Sequence, residues 1–139
     1  MRHVFGALLM CSLTGCTTPA QPGVTGSVAT SIQVATGSEF ELSVGQEARV
    51  QGTSLRIRFD GVSQDSRCPQ GVQCVWAGNA VVNLRITSAN TSLTLNTGLE
   101  PKTAGLNSFT LVLVDLKPAA RQGGVSATEY RAILEVRPR

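Results

Sequence analysis

A chain of 139 residues with 42% apolar and 15% charged side chains fits one folded domain, with enough apolar material for a core and too little charge for a disordered polymer. The net charge is +3; without the first fifteen residues, which hold Arg2, 12 − 1 = 11 basic face 9 acidic side chains, or +2, and the bases are scattered without interleaved aromatics, which argues against nucleic acid as a partner. The only histidine is His3, so everything after the amino-terminal segment lacks the commonest general base, transition-metal ligand and physiological-pH switch.

Met1-Arg2-His3 makes a short positive start, and Val4 to Leu13 is an apolar run broken only by Gly6 and Ser12. As a helix this run reaches roughly 15 Å, half of a hydrocarbon core about 30 Å thick, so it reads as an export signal rather than a membrane span. It ends in Leu13-Thr14-Gly15-Cys16, which resembles the lipobox of bacterial lipoproteins: an apolar residue and two small ones before a cysteine. The resemblance implies that residues 1–15 are removed, that the Cys16 thiol receives a diacylglyceryl group, and that the new amine is acylated, as with palmitate. Two or more acyl chains anchor a protein stably. Thr17 stands where, in Gram-negative lipoproteins, an aspartate would retain the product at the inner membrane. The resemblance therefore implies the cell envelope, on the periplasmic face of the outer membrane. The competing expectation is ordinary secretion, with cleavage after Thr18-Pro19-Ala20 and loss of Cys16.

From Thr17 to about Ser38 the chain has no charge, two prolines, three glycines and many small hydroxyl residues. Such a stretch buries too little apolar surface to offset its ordering entropy. It reads as a tether with an r.m.s. reach of roughly 25 Å, although Ile32-Gln33-Val34 could pair as a short strand. Residues 16–38 are accordingly expected to be lipidated cysteine plus tether, and 39–139 the folded domain.

Beyond Glu39 the dominant period is two, the signature of half-buried strands. Phe40, Leu42 and Val44 alternate with Glu39, Glu41 and Ser43, and a weaker strand follows around Glu47 to Gln51. Leu55, Ile57 and Phe59 alternate with Arg56, Arg58 and Asp60. Ala80, Val82, Leu84 and Ile86 share one face, and the polar turn Thr87 to Asn90 leads to Leu93 and Leu95, which predicts a hairpin. Phe109 to Val114 is apolar on both parities, which predicts a strand covered on both faces. Tyr130, Ala132, Leu134 and Val136 complete about seven strands, separated by turn signals at Gly45, Gly52, Gly98, Gly105, Pro118 and Gly123-Gly124. With no helical period, the fold class is all-β: a single antiparallel sandwich or small barrel.

The densest unusual cluster runs from Asp65 to Asn79. Cys68 and Cys74 are an even pair in an exported protein and read as one disulfide. A seven-residue ring restricts the unfolded chain by about 2–2.5 kcal/mol through loop-closure entropy, and Pro69 and Gly71 supply its bends. The bridge is either a staple across a hairpin or the clamp of a rigid presented loop, with Asp65, Arg67, Pro69, Gln70 and Trp76 as its candidate binding residues. Trp76, the only tryptophan, is expected inside: an unbroken strand puts 74, 76, 78, 80, 82, 84 and 86 on the core face, and only a bulge at Gly78 would turn the indole outward. The pattern Asp65-Ser66-Arg67-Cys68-Pro69, then Cys74-Val75-Trp76-Ala77-Gly78, resembles that of small bacterial lipoproteins with a disulfide loop in a β domain. That resemblance implies fold and address and carries no catalytic residue.

Other chemistry finds little footing. Without histidine the Ser/His/Asp and Cys/His schemes are unavailable. Asp60 and Asp65 are the nearest carboxylate pair, but Asp60 reads as a wet-face charge or a bend at Asp60-Gly61. No dense Asp/Asn/Gly spacing suggests calcium, two cysteines alone do not complete a zinc site, and the five-residue gap is not a Cys-x-x-Cys pair. The expectation is a non-enzymatic envelope protein without cofactor or metal. It would be attached to the membrane through Cys16, and its β surface or disulfide loop would bind a protein, glycan or lipid, with inhibition of a hydrolase through the Cys68–Cys74 loop as the alternative.

Overall fold

The computed structural model describes residues 30–139; the export segment, Cys16 and the tether up to residue 29 lie outside the described residues. Nine strands follow in order: β1 (Ser31–Val34), β2 (Glu39–Ser43), β3 (Glu47–Val50), β4 (Arg56–Asp65), β5 (Ala80–Ile86), β6 (Thr91–Asn96), β7 (Thr103–Leu106), β8 (Phe109–Lys117) and β9 (Arg131–Pro138). They form a five-stranded sheet of order β1-β3-β4-β5-β6 and a four-stranded sheet of order β2-β9-β8-β7. The two sheets pack face to face as an open sandwich, and no helix occurs among the described residues.

The alternation expected of each strand is met where side chains enter the core. Leu42, Ile57, Phe59, Ala80, Val82, Leu84, Leu95, Leu111, Leu134 and Val136 are almost fully buried between the sheets. No polar or charged residue is buried among the described residues, so the core is held by apolar area at about 25 cal/mol per Å² and by sheet ladders. The predicted hairpin is formed by β5 and β6, with Leu84 opposite Leu93 and Val82 opposite Leu95. Asn90 turns it at φ 48°, a conformation asparagine tolerates better than most residues.

Two strands exceed the seven expected. β1 lies inside the stretch read as tether and pairs in parallel with β3, Ser31 opposite Glu47 and Val34 opposite Val50. The folded unit therefore includes Ser31–Val34 and does not start at Glu39. β7 absorbs Gly105, read as a turn signal; the reversal lies at Asn107, φ 50°. The strand from Phe109 is covered on one face only. Leu111 and Leu113 face the core, Val114 is an extra residue between the pairs Leu113–Leu134 and Asp115–Ile133, and it is 40% exposed. The bulge takes Val114 out of the alternation.

β4 and β5 position the candidate site. They pair over their full lengths, from Ile57–Ile86 to Asp65–Ala80, with bulges at Asp60 and Ser63. Their connection, residues 66–79, leaves one end of the sandwich beside the β8–β9 connection.

Candidate functional site

The 66–79 loop continues the hairpin for two irregular rungs and then closes on itself. The Ser66 N–H donates to the Asn79 carbonyl at 2.7 Å, and the Cys68 N–H to the Ala77 carbonyl at 3.0 Å. Beyond these rungs the Cys68–Cys74 disulfide joins Cα atoms 5.9 Å apart. The bridge does not tie β4 to β5; it closes the tip of a loop that the strands carry. Gly71 bends the ring at φ 77°, where the Val72 N–H reaches the Pro69 carbonyl at 3.2 Å.

Two polar anchors hold the base of this loop to the sandwich. Arg67 donates to both Asp65 carboxylate oxygens, Nε at 2.9 Å and Nη2 at 2.7 Å, while Nη1 reaches the Leu116 carbonyl at 2.7 Å and Nη2 the Pro118 carbonyl at 3.0 Å. The Tyr130 hydroxyl donates to Asp65 Oδ2 at 3.0 Å. The paired side chains are only 13% (Arg67) and 14% (Asp65) exposed. The guanidinium beside it holds the Asp65 carboxyl below its ordinary range against an opposing effect of burial, and the carboxylate in turn raises Arg67. Burial, then the bond to Asp65, pushes the Tyr130 phenol up.

On the other side Asn79 is the second anchor. Its Nδ2 donates to Asn96 Oδ1 at 2.9 Å, and its Oδ1 accepts the backbone N–H groups of Gly98 at 2.9 Å and Leu99 at 3.3 Å. A third tie comes from the Gln70 N–H, which donates to the Ala120 carbonyl at 2.9 Å. The loop is thus fixed to both sheets of the sandwich: to β6 and the β6–β7 connection through Asn79, and to the β8 end through Arg67.

Trp76 is not in the core. Its relative exposure is 81%, and Val75 beside it is 91% exposed. The core parity of Ala80, Val82, Leu84 and Ile86 does not extend back to 76, because the strand starts at Ala80. Gly78 breaks it: φ is +74°, and a Cβ there would stand 1.8 Å from the Ser66 carbonyl oxygen. The close rung with Ser66 can form only at a glycine, and the left-handed turn directs the preceding residues outward.

Of the five candidate binding residues, Asp65 and Arg67 are committed to each other at the base, and Pro69 is half-buried; Gln70 and Trp76 are exposed. Asn79 and Val75 had no assigned role in the sequence, and Tyr130 reads there only as an apolar-face residue of the last strand, which starts at Arg131. Asn79 follows a glycine and precedes an apolar strand, a position suited to a side-chain-to-backbone tie, whereas the Tyr130–Asp65 bond spans 65 residues and leaves no local trace.

Shallow depressions flank the base. One of about 490 Å³ touches Arg67, Cys68, Gly98, Asp115 and Lys117, and one of about 450 Å³ touches Asp65, Pro69, Arg121, Gly124 and Tyr130. The two carboxylates that could have worked as an acid/base pair are not together. Asp60 lies on the outer sheet face between Arg58 and Arg85, and Asp65 turns to the core side against Tyr130. Among the described residues no three His, Cys, Asp or Glu side chains gather as metal ligands.

No protein-family model matches the chain, and neither the curated proteins nor the solved structures provide a match.

Proposed function

We propose that the protein is a lipid-anchored module of the bacterial cell envelope, attached through Cys16 to the periplasmic face of the outer membrane, whose 66–79 loop binds a partner protein. The observation that carries the binding role is Val75-Trp76, the most exposed apolar pair of the domain, on a loop closed by a disulfide and anchored on both sides. Tryptophan is the side chain that most often dominates protein interfaces. Displaying one on a preorganised loop lowers the ordering entropy paid on association. The lipid anchor rests on the Leu13-Thr14-Gly15-Cys16 motif behind an apolar export segment.

The projection of the loop also favours a second, narrower reading, in which the tip enters the cleft of an envelope or extracellular hydrolase and inhibits it. A closed, exposed loop is suited to that role, and the two readings share their contact residues.

The test captures partners from envelope extracts with the full chain carrying Cys16→Ser, beside the same chain with Trp76→Ala and with both Cys68 and Cys74 changed to Ser. Partners lost with Trp76→Ala while the fold persists support the loop; an identical partner set in all three chains rejects it. Intact-mass spectrometry of the membrane-extracted wild type examines the anchor separately. A mature end at Cys16 bearing acyl mass supports it, and an unmodified amino end or release into the medium overturns it.

A further inference from the structure

Arginines that are far apart in the sequence converge on the outer face of the five-stranded sheet. Across the strands one row reads Ser31, Glu47, Arg58, Arg85 and Ser92, and the next Gln33, Arg49 and Arg56. Side chains two apart on a strand share a face, and Ile57 and Ala48 between them are buried, so all four arginines point away from the core. Directly opposite neighbours are about 4.5–5.5 Å apart at Cβ, and the cluster is correspondingly tight.

Two of these contacts set like charges face to face, Arg58 opposite Arg85 and Arg49 opposite Arg56, an arrangement that weakens a sheet. Only two acids offset them. Asp60, the extra residue of the β4 bulge, lies 2.8 Å from Arg85 and 3.3 Å from Arg58 Nε; the latter contact lacks hydrogen-bond alignment, which leaves a buried donor without a partner. Glu47 is 3.8 Å from Arg49, and Arg56 has no ion-pair partner among the described residues. The face carries +2 net, all of its positive charge on arginine. On the opposite outer face like charges also meet, Glu39 opposite Glu135 and Lys117 opposite Arg131, but there the acids Glu39, Glu41, Asp115 and Glu135 outnumber the bases Lys117, Arg131 and Arg137, so the positive excess is specific to one side of the sandwich.

From this geometry we infer that the outer face of the five-stranded sheet docks on an anionic phospholipid surface, its guanidinium forks pairing with lipid phosphates. Arg49, Arg56, Arg58 and Arg85 are spread over three strands of the outer face and line none of the depressions described above or the hollow under Leu106 at the far end of the sandwich. Cations distributed over three strands match an extended array of phosphates better than a single small anion. Chain connectivity supplies the second argument, which rests on the lipid-anchored reading. The chain coming from Cys16 joins the sheet at Ser31, in the row that holds Arg58 and Arg85. The fifteen steps from Cys16 to Ser31 span at most about 50 Å fully extended, so an anchored chain keeps this face within reach of headgroups.

The test uses the full chain with Cys16→Ser, so that no lipid is attached, beside the same chain with Arg49, Arg56, Arg58 and Arg85 all changed to Gln. Both are mixed with vesicles of phosphatidylcholine alone and of phosphatidylcholine with phosphatidylglycerol. A basic residue at an anionic surface is worth about a fivefold change in partition, so two of the four engaged predict that the preference for anionic vesicles drops roughly 25-fold in the variant. Partition to neutral vesicles stays the same, and salt erases the wild-type preference. If the fourfold variant does not fold, Arg49→Gln with Arg56→Gln leaves the Asp60 contacts intact and reads the same difference. An anionic preference that survives the substitutions, or a wild type that does not distinguish the two vesicles, overturns the inference. So does transfer from vesicles to a soluble polyanion such as heparin, which would make the occupant a polymer. None of these depends on the mass at Cys16, so failure of the anchor and failure of the face are read separately.

Discussion

Replacing Asp65 by asparagine tests whether the loop is held by its charged base. The carboxylate accepts Arg67 Nε and Nη2, the Tyr130 hydroxyl and, at 3.2 Å, the Arg67 backbone N–H. Asparagine keeps one acceptor oxygen and turns its NH2 toward a guanidinium that can only donate. Exposed ion pairs contribute about 0–1 kcal/mol and breaking a buried one costs about 3–5 kcal/mol. At 13% and 14% side-chain exposure this pair stands between those regimes, and the Leu116 and Pro118 carbonyls still receive Arg67 after the change. The expected loss is about 2–3 kcal/mol, roughly 8–13 °C in Tm for a domain of this size.

The pH dependence has a definite sign. The folded-state Asp65 carboxyl is held below its ordinary value, first by the Arg67 hydrogen bonds. On acidification the unfolded chain binds this proton first. The contribution is complete above the ordinary aspartate value of about 3.9, and is lost as pH falls from there through the lowered folded value. Asp65→Asn removes that part of the acid limb. Calorimetry and urea unfolding across that range measure both effects. A variant within about 0.5 kcal/mol of wild type at neutral pH, with an unchanged acid limb, would refute the anchoring role.

Three further outcomes follow from the loop. Gly78→Ala puts a Cβ 1.8 Å from the Ser66 carbonyl oxygen at φ +74° and should cost about 3 kcal/mol or more by breaking the Ser66–Asn79 rung; Gly123→Ala, at φ +86° with nothing within 4 Å, should cost only about 1–2 kcal/mol, and equal melting temperatures would contradict the close approach. Changing Cys68 and Cys74 together to Ser should lower stability by about 2–2.5 kcal/mol and leave the far-ultraviolet spectrum of the sandwich unchanged, since the bridge joins no strands; collapse of that spectrum would show that it does more. Trp76 should emit as a water-exposed indole and be readily quenched by acrylamide, and Trp76→Ala should alter stability by no more than about 0.5 kcal/mol; a blue-shifted, shielded indole would put it back in the core.

The sandwich was legible because its strands keep a period of two wherever one face is buried. Ala80 to Ile86 and its partner Leu93-Leu95 could be paired from sequence, since the turn between them is short and polar. The same rule failed where it was carried across Gly78 to Trp76, because parity holds only while the backbone stays extended and one left-handed residue ends it. β1 was legible only as an option, with Ile32-Gln33-Val34 able to pair inside the stretch read as tether: Ser31–Val34 has too little apolar surface to form a strand by itself, and it exists because β3 offers an edge. Asp65 and Arg67 were legible as unusual residues, yet their work as an anchor depends on Tyr130 and on the Leu116 and Pro118 carbonyls, partners about fifty or more residues away.

Charge behaved in the opposite way from hydrophobicity. Along the chain the basic residues look dispersed, and on that pattern a charged binding surface had no support. Positions 49, 56, 58 and 85 become neighbours only through the β3–β4 and β4–β5 registers. The second of these includes a bulge that inserts Asp60 between two of the arginines. Register is set by which side chains must be buried, so the apolar residues Ala48, Ile57 and Leu84 decide where the arginines meet. A register slip of one residue would bury the arginines, so the burial that fixes the core also fixes the charged face. In a sheet protein the electrostatic surface is therefore a consequence of core packing, and it becomes readable from sequence only after strand pairing is known.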